Sequence, residues 1–227
     1  MLKPHKLREP LGKGAPWDKP CMVFVNSMSD LFHELVPFEY IDRVFATMAE
    51  AKQHTFQVLT KRPERMLAYF ERAADYMGLM LEDLIPWPNV WLGVSIENRR
   101  FVGRADVLRE VPAAVRFISA EPLLGPLVKD TWFNRERGLP VRRWADRDLD
   151  EQPELDLAGI DWLIVGGESG PGHRPMRLEW AYDLVEAARF AGTAPFVKQL
   201  GGARPGTKLE DLPEDLRVRE FPRMVTA

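Results

Sequence analysis

Short apolar runs recur along the chain, and each gives way to polar residues. They are MVFV (22–25) before Asn26 to Asp30, FQVL (56–59) before Thr60-Lys61-Arg62-Pro63, and VWLGV (90–94) before Ser95-Ile96-Glu97-Asn98. VRFI (115–118) follows before Ser119-Ala120-Glu121-Pro122, then WLIV (162–165) before Gly166-Gly167-Glu168-Ser169, and PFV (195–197) before Lys198-Gln199. Apolar runs of this length, without alternation, predict strands covered on both faces, as in a parallel sheet. Between most of them the spacing changes to that of a helix. Phe38, Ile41, Val44, Phe45 and Met48 mark one helix over 37–52, and Pro63 in a first turn opens another over 63–77. Asn98 is placed to cap a helix reaching Arg109. Trp180, Leu184, Val185 and Ala188 mark a last one over 178–191, with Gly192 as its stop.

The strand starts fall near 22, 56, 90, 115, 162 and 195, and most of the intervals match one βα unit. Strands alternating with helices predict an α/β fold: a partial, open TIM-like βα barrel with about six parallel strands, in a single domain over 1–227. Residues 1–21 read as an extended lead. Residues 123–158 read as a surface excursion that replaces a helix, with a basic group, Arg135, Arg137, Arg142 and Arg143, ahead of an acidic run. Residues 203–227 read as a charged, proline-rich tail with one short helical turn at Leu209-Glu210-Asp211-Leu212.

Composition narrows the classes. The chain has 227 residues, 45% hydrophobic and 29% charged, enough for a sizeable core. A net charge of -3 gives no global basic field for nucleic acid, although a local patch would suffice. The single cysteine, Cys21, excludes an internal disulfide framework and a zinc site of several thiolates. It reads as a small apolar residue at a strand entrance. His33, His54 and His173 are scattered without metal-ligand spacing, so no metal site is expected. No apolar run reaches a membrane span, and the start lacks a signal-peptide core, which makes the cytoplasm the expected compartment.

Ligands of parallel α/β folds bind at the carboxyl ends of the strands. Here those ends carry Asn26, Ser29, Asp30, Lys61, Arg62, Ser95, Glu97, Asn98, Glu121, Glu168, Ser169, Lys198 and Gln199. Together they would form a polar funnel for an amino acid, a nucleotide or a metal. Asp30 and Asn98 have a plainer reading as helix caps, and Lys61 and Arg62 as solvated loop residues. Glu121, restrained by the following Pro122, and Glu168 are the candidate acid and base. The stretch IVGGESGPGHRP (164–175) is no phosphate loop, since no lysine follows its glycines, and it lacks the dinucleotide spacing. Gly166 and Gly167 would let a ligand or another backbone approach closely.

Six blocks in order, VFVNSMSDLFHE, TFQVLTKRPERM, NVWLGVSIEN, RFISAEPLLGP, WLIVGGESGPGHRPM and PFVKQLGG, resemble the bacteriophage Gp-thirty-seven/Gp-sixty-eight family, also described by a three-cysteine motif. The likeness runs from about Val23 to Gly202. It implies a radical S-adenosylmethionine-like barrel and a 4Fe-4S cluster held by an N-terminal three-cysteine segment. It also implies a three-Cys-motif partner protein, and a substrate that is not specified, with nucleic acid or a modified nucleoside as the expected class. The Gly166-Gly167-Glu168 letters match a motif such enzymes use for the cofactor's amine; Ser95, Glu97 and Asn98 are equal candidates for that role or for the ribose. This chain begins just before the VFVNSMSD block and lacks the three cysteines. A shortened product and a member that lost the cluster are both open explanations. One thiolate cannot hold a four-iron cluster, which takes three from the protein. Three functions are therefore expected in competition: a barrel portion of a radical S-adenosylmethionine-like enzyme, a cluster-independent hydrolase or lyase using Glu121 and Glu168, and a non-enzymatic binding module using the basic stretch 129–143.

Overall fold

The structure, a computed structural model, describes residues 2–14, 16–128 and 153–223. It is an α/β fold with six parallel strands: β1 (Met22–Val25), β2 (Thr55–Thr60), β3 (Val90–Ser95), β4 (Val115–Ala120), β5 (Trp162–Gly166) and β6 (Ala194–Gln199). Their hydrogen-bonded order is the chain order. The helices are α1 (Phe38–Glu50), α2 (Pro63–Met77), α3 (Arg104–Glu110) and α4 (Leu178–Ala191). No helix among the described residues is long and apolar enough to cross a membrane. Every strand begins within one residue of its expected position. The residues group into two compact units, one of residues 1–94 and 107–116, the other of residues 95–106 and 117–227.

In the first unit, β1 pairs with β2, and β2 with β3, both in parallel. β3 is buried along its whole length, as its unbroken apolar run requires. α1 turns Ile41, Val44, Phe45 and Met48 inward, the i, i+3, i+4, i+7 stripe of an amphipathic helix. α2 starts on Pro63, whose missing N–H costs nothing in a first turn, and stops at Gly78. Gly78 has φ 66°, and its N–H caps the Ala74 carbonyl. The two helices meet in an aromatic cluster: Phe45 stacks on Tyr69 at 5.2 Å and meets the edge of Phe70 at 5.5 Å. Buried Asn89 ties the end of α1 to the entrance of β2, its Nδ2 donating to the carbonyls of Met48 and His54.

In the second unit, β4–β5 and β5–β6 are parallel pairs, and β5 is buried throughout. α4 buries Trp180, Leu184, Val185 and Ala188, the expected stripe, and ends on Gly192 at φ 76°. Two expectations need correction here. The flanks of the supposed surface excursion belong to the core: Leu123, Leu127, Leu155 and Leu157 are at most 5% exposed, and the Leu155 N–H donates to the Leu127 carbonyl. The tail is likewise packed, not merely charged. Its turn at Leu209–Asp211 forms as expected, but Leu212 and Leu216 are buried, and Arg219 bridges the outer edge of β6 at Phe196. Trp162 donates its indole N–H to the Glu220 carbonyl and stacks on Phe221 at 5.4 Å. The tail thereby covers the outer edge of β6, which would otherwise offer unpaired backbone groups.

Phe45 is 2% exposed at the centre of the aromatic cluster. Phe45→Ala is expected to destabilise the protein by about 3–5 kcal/mol in chemical denaturation, because a buried ring leaves a cavity that collapses only in part.

Candidate functional site

The polar residues at the strand ends divide between the two units. In the first, Asp30 is a clasp. Its carboxylate accepts from the Phe32 N–H at 2.9 Å, the Thr60 hydroxyl at 2.8 Å, the Lys61 N–H at 3.2 Å and the Arg62 guanidinium at 2.9 Å. It joins the loop after β1 to the end of β2 and is committed to that task. Arg62 also donates its backbone N–H to Thr60. Lys61 is exposed. Asn26 sits at φ 58°, in the left-handed region that Asn tolerates better than most residues, and its carbonyl accepts from Ser29 N–H in the turn after β1.

In the second unit the strand-end carboxylates Glu97, Glu121 and Glu168 are each paired with a cation. Glu97 is 6% exposed; it accepts from the Ser95 hydroxyl at 3.2 Å and from Arg104 at 3.3 Å. The same guanidinium group of Arg104 donates to the Ser95 carbonyl at 2.7 Å. Asn98 caps, as its plainer reading predicted, but what it caps is a 3-10 turn (Arg99–Phe101) through the Arg100 N–H, and α3 begins only at Arg104. Glu121 follows β4, in a cis peptide bond to Pro122. Its carboxylate meets the Lys198 ammonium of β6 at 3.0 Å. Since β5 lies between those strands, the pair spans β5 at Gly166. A β-carbon on Gly166 would stand 3.1 Å from the Glu121 side chain, so the glycine leaves the space that the carboxylate uses.

Gly167 serves a different contact. A β-carbon there would collide with the backbone nitrogen of Gly201 and stand 2.6 Å from its Cα. The Gly167 N–H donates to the Gln199 carbonyl, and the Gln199 side chain returns a bond to the Gly167 carbonyl at 2.8 Å. Gln199 also accepts from the Gly206 N–H at 2.7 Å, so it is a structural strut, 4% exposed. The close approach foreseen for this glycine is made by backbone. Ser169 is exposed and held by a parallel bridge to Gly202.

Glu168 is gripped by Arg174, which donates from its backbone N–H at 2.7 Å and from its guanidinium at 2.9 and 2.8 Å. Those side-chain bonds first, then the backbone bond, pull the Glu168 carboxyl from 4.5 down to about 2; desolvation opposes them, and the charges of Arg174 and His173 add to the fall. Arg174 is held above its usual range by its bonds to Glu168, with the charges of Glu168 and Glu97 adding. The sequence reading missed Arg104 and Arg174. Their signal was weak: single arginines seven and six residues after the glutamates they serve, across loops whose path the spacing does not give. The basic stretch 129–143 lies outside the described residues, and among those described no group of three His, Cys, Asp or Glu could hold a metal.

Two outcomes test this geometry. Gly167→Ala is expected to cost about 1–3 kcal/mol in thermal or chemical unfolding, since backbone must move to admit a methyl group. The depressed Glu168 carboxyl favours the folded state above its unfolded value near 4.5, and that contribution is lost as the pH falls through about 2. Carbon-detected NMR titration should find the Glu168 midpoint near 2 and, in Arg174→Ala, a midpoint moved up toward 4.5.

No curated protein and no solved structure matches the chain. A family model does match, over residues 1–217, nearly its whole length. By that match the chain belongs to the family described as a protein of unknown function, DUF5131.

Proposed function

We propose that this chain is the barrel portion of a radical S-adenosylmethionine-like protein, and that its second unit binds a zwitterionic ligand of the α-amino-acid type between Glu121 and Lys198. The observation that carries the reading is the ion pair over Gly166. Its carboxylate and ammonium lie 3.0 Å apart at the strand ends, with Lys198 about half exposed. An α-ammonium group can replace Lys198 as the partner of Glu121, and an α-carboxylate can replace Glu121 as the partner of Lys198. A zwitterion therefore enters the pair without stranding either charge, the condition under which opening such a pair costs little. The methionine end of S-adenosylmethionine, the cofactor implied by the sequence resemblance, has this chemistry. The residues that would hold it are Glu121 and Lys198, with Gly166 leaving room.

The Gly-Gly-Glu letters do not favour a second amine site. Gly167 is packed on Gly201, and both oxygens of Glu168 are taken by Arg174. The 4Fe-4S cluster does not fit the residues of this chain. Cys21 is its one thiol, and the Cys21 sulfur lies 3.3 Å from His54 Nδ1. Hydrolysis by Glu121 and Glu168 as acid and base is also disfavoured, because a carboxyl near 2 is fully ionised at neutral pH and a weak base.

Calorimetric titration with S-adenosylmethionine and with L-methionine tests the reading. Both are expected to bind, with affinity falling about tenfold or more in Glu121→Gln and in Lys198→Met, because each variant strands one charge of the ligand. The deaminated analogue, 4-(methylthio)butyrate, is expected not to bind. Affinity unchanged in both variants, or no binding of either ligand, overturns the proposal. Anaerobic incubation with iron and sulfide is expected to leave no stoichiometric cluster on this chain.

A further inference from the structure

A cavity of about 460 Å³ lies in the first unit, built wholly from residues of that unit. Val23 and Val25 of β1, Val44 and Met48 of α1, and Leu2 and Leu7 of the N-terminal lead give it an apolar body. Its volume falls in the ordinary range of small-molecule sites. β1 explains why the space exists. Its pairing is to β2, and its side chains are poorly covered, with Met22 at 45% and Phe24 at 43% exposure. The lead forms short 3-10 turns (Pro4–Lys6 and Glu9–Leu11), not a further strand, so it lines the cavity without filling it.

The charge around this space has one sign. Among the residues lining it, Lys3 and Lys6 carry charge and no aspartate or glutamate does. Lys3 has no ion pair among the described residues. Lys6 meets Glu9 at 3.3 Å, but both side chains are about half exposed, and such a pair is readily exchanged. The first twenty residues hold five Lys or Arg against two acidic residues, in a chain whose net charge is -3. Ser27 and Ser29, in the loop after β1, add hydroxyl donors to the lining.

We infer that this cavity is a binding site for a small amphipathic anion: an apolar tail seated between β1 and α1, with a carboxylate or comparable head group at Lys3 and Lys6. The site is independent of the Glu121–Lys198 pair and stands whether or not that pair binds a zwitterion. An uncharged apolar molecule would leave the lysines unused, and a cation would meet them with like charge.

The probes are decanoate, 1-decanol and decylamine, each titrated below its aggregation concentration into the full chain and followed by methyl NMR. Decanoate is expected to give saturable shifts at Val23, Val25, Val44 and Met48, and to bind about tenfold more tightly than decylamine. Lys3→Glu combined with Lys6→Glu is expected to lower decanoate affinity about tenfold and to leave 1-decanol unchanged. Both lysines are exposed, and the methyl spectrum of the variant reports directly that the fold is kept. Shifts confined to the exposed apolar stretch 76–87, equal affinity for decanoate and decylamine, or an unchanged decanoate affinity in the double variant overturns the inference. So does a hydrophobic peptide that shifts the β1 amides where decanoate shifts nothing.

Discussion

The second unit is organised by two side chains that are not there. At Gly166 the missing β-carbon gives the Glu121 carboxylate a path across β5 to Lys198. At Gly167 it lets the backbone of Gly201 come against β5, and Gln199 locks that approach with bonds to Gly167 and Gly206. Any larger residue at Gly167 meets backbone, which yields far less readily than the end of a flexible side chain. This contact joins the end of β5 and the Glu168 loop to the turn after β6, where the Gly202 N–H donates to the Glu168 carbonyl.

Within that frame the strand-end charges have different duties. Asp30 in the first unit and Gln199 in the second satisfy backbone groups and join segments, work that any loop-rich strand end requires. Glu97 is buried with Ser95 and Arg104, and removing one partner of a buried pair leaves a desolvated charge. Glu168 is bound by three donors from Arg174 and stays ionised far into acid. Glu121–Lys198 differs from these: one ammonium meets both carboxylate oxygens at 3.0 Å, and Lys198 is about half exposed. Solvent reaches this pair from the Lys198 side, and a zwitterion that replaces both partners leaves the more covered Glu121 charge paired throughout the exchange. The contrast between committed and exchangeable charge is what singles out this pair.

Much of the local structure was legible along the chain because it depends on local physics. Pro63 and Gly78 bound α2 through a missing N–H and a left-handed cap, and both properties belong to the residue itself. The inward stripe of α1 follows from helical spacing, and β3 and β5 are buried throughout as unbroken apolar runs should be. The tail was less legible. Leu212, Leu216 and Phe221 are too sparse among prolines and charges to show a period; Phe221 rests on Trp162 and Phe196, and the turn that carries Leu216 packs against α4, all far away in sequence. Leu123 and Leu127 were likewise read as surface because they adjoin a long charged segment, yet they bury beside Leu155 and Leu157.

The candidate site divides along the same line. Residue order alone determined that polar groups follow each apolar strand, that two glycines permit close approach, and that one cysteine cannot build a cluster. Those statements rest on side-chain chemistry and on spacing within a few residues. Which carboxylate meets which cation was decided only in three dimensions. Glu121 and Lys198 are 77 residues apart and meet because β4 and β6 flank β5, whose glycine leaves the gap between them. Arg174 claimed Glu168 because the turn at Gly170 and Gly172, both at positive φ, folds the chain back on itself. Pairing over such distances is set by sheet order and by the volume left at single positions, and neither quantity is written in any local stretch of the chain.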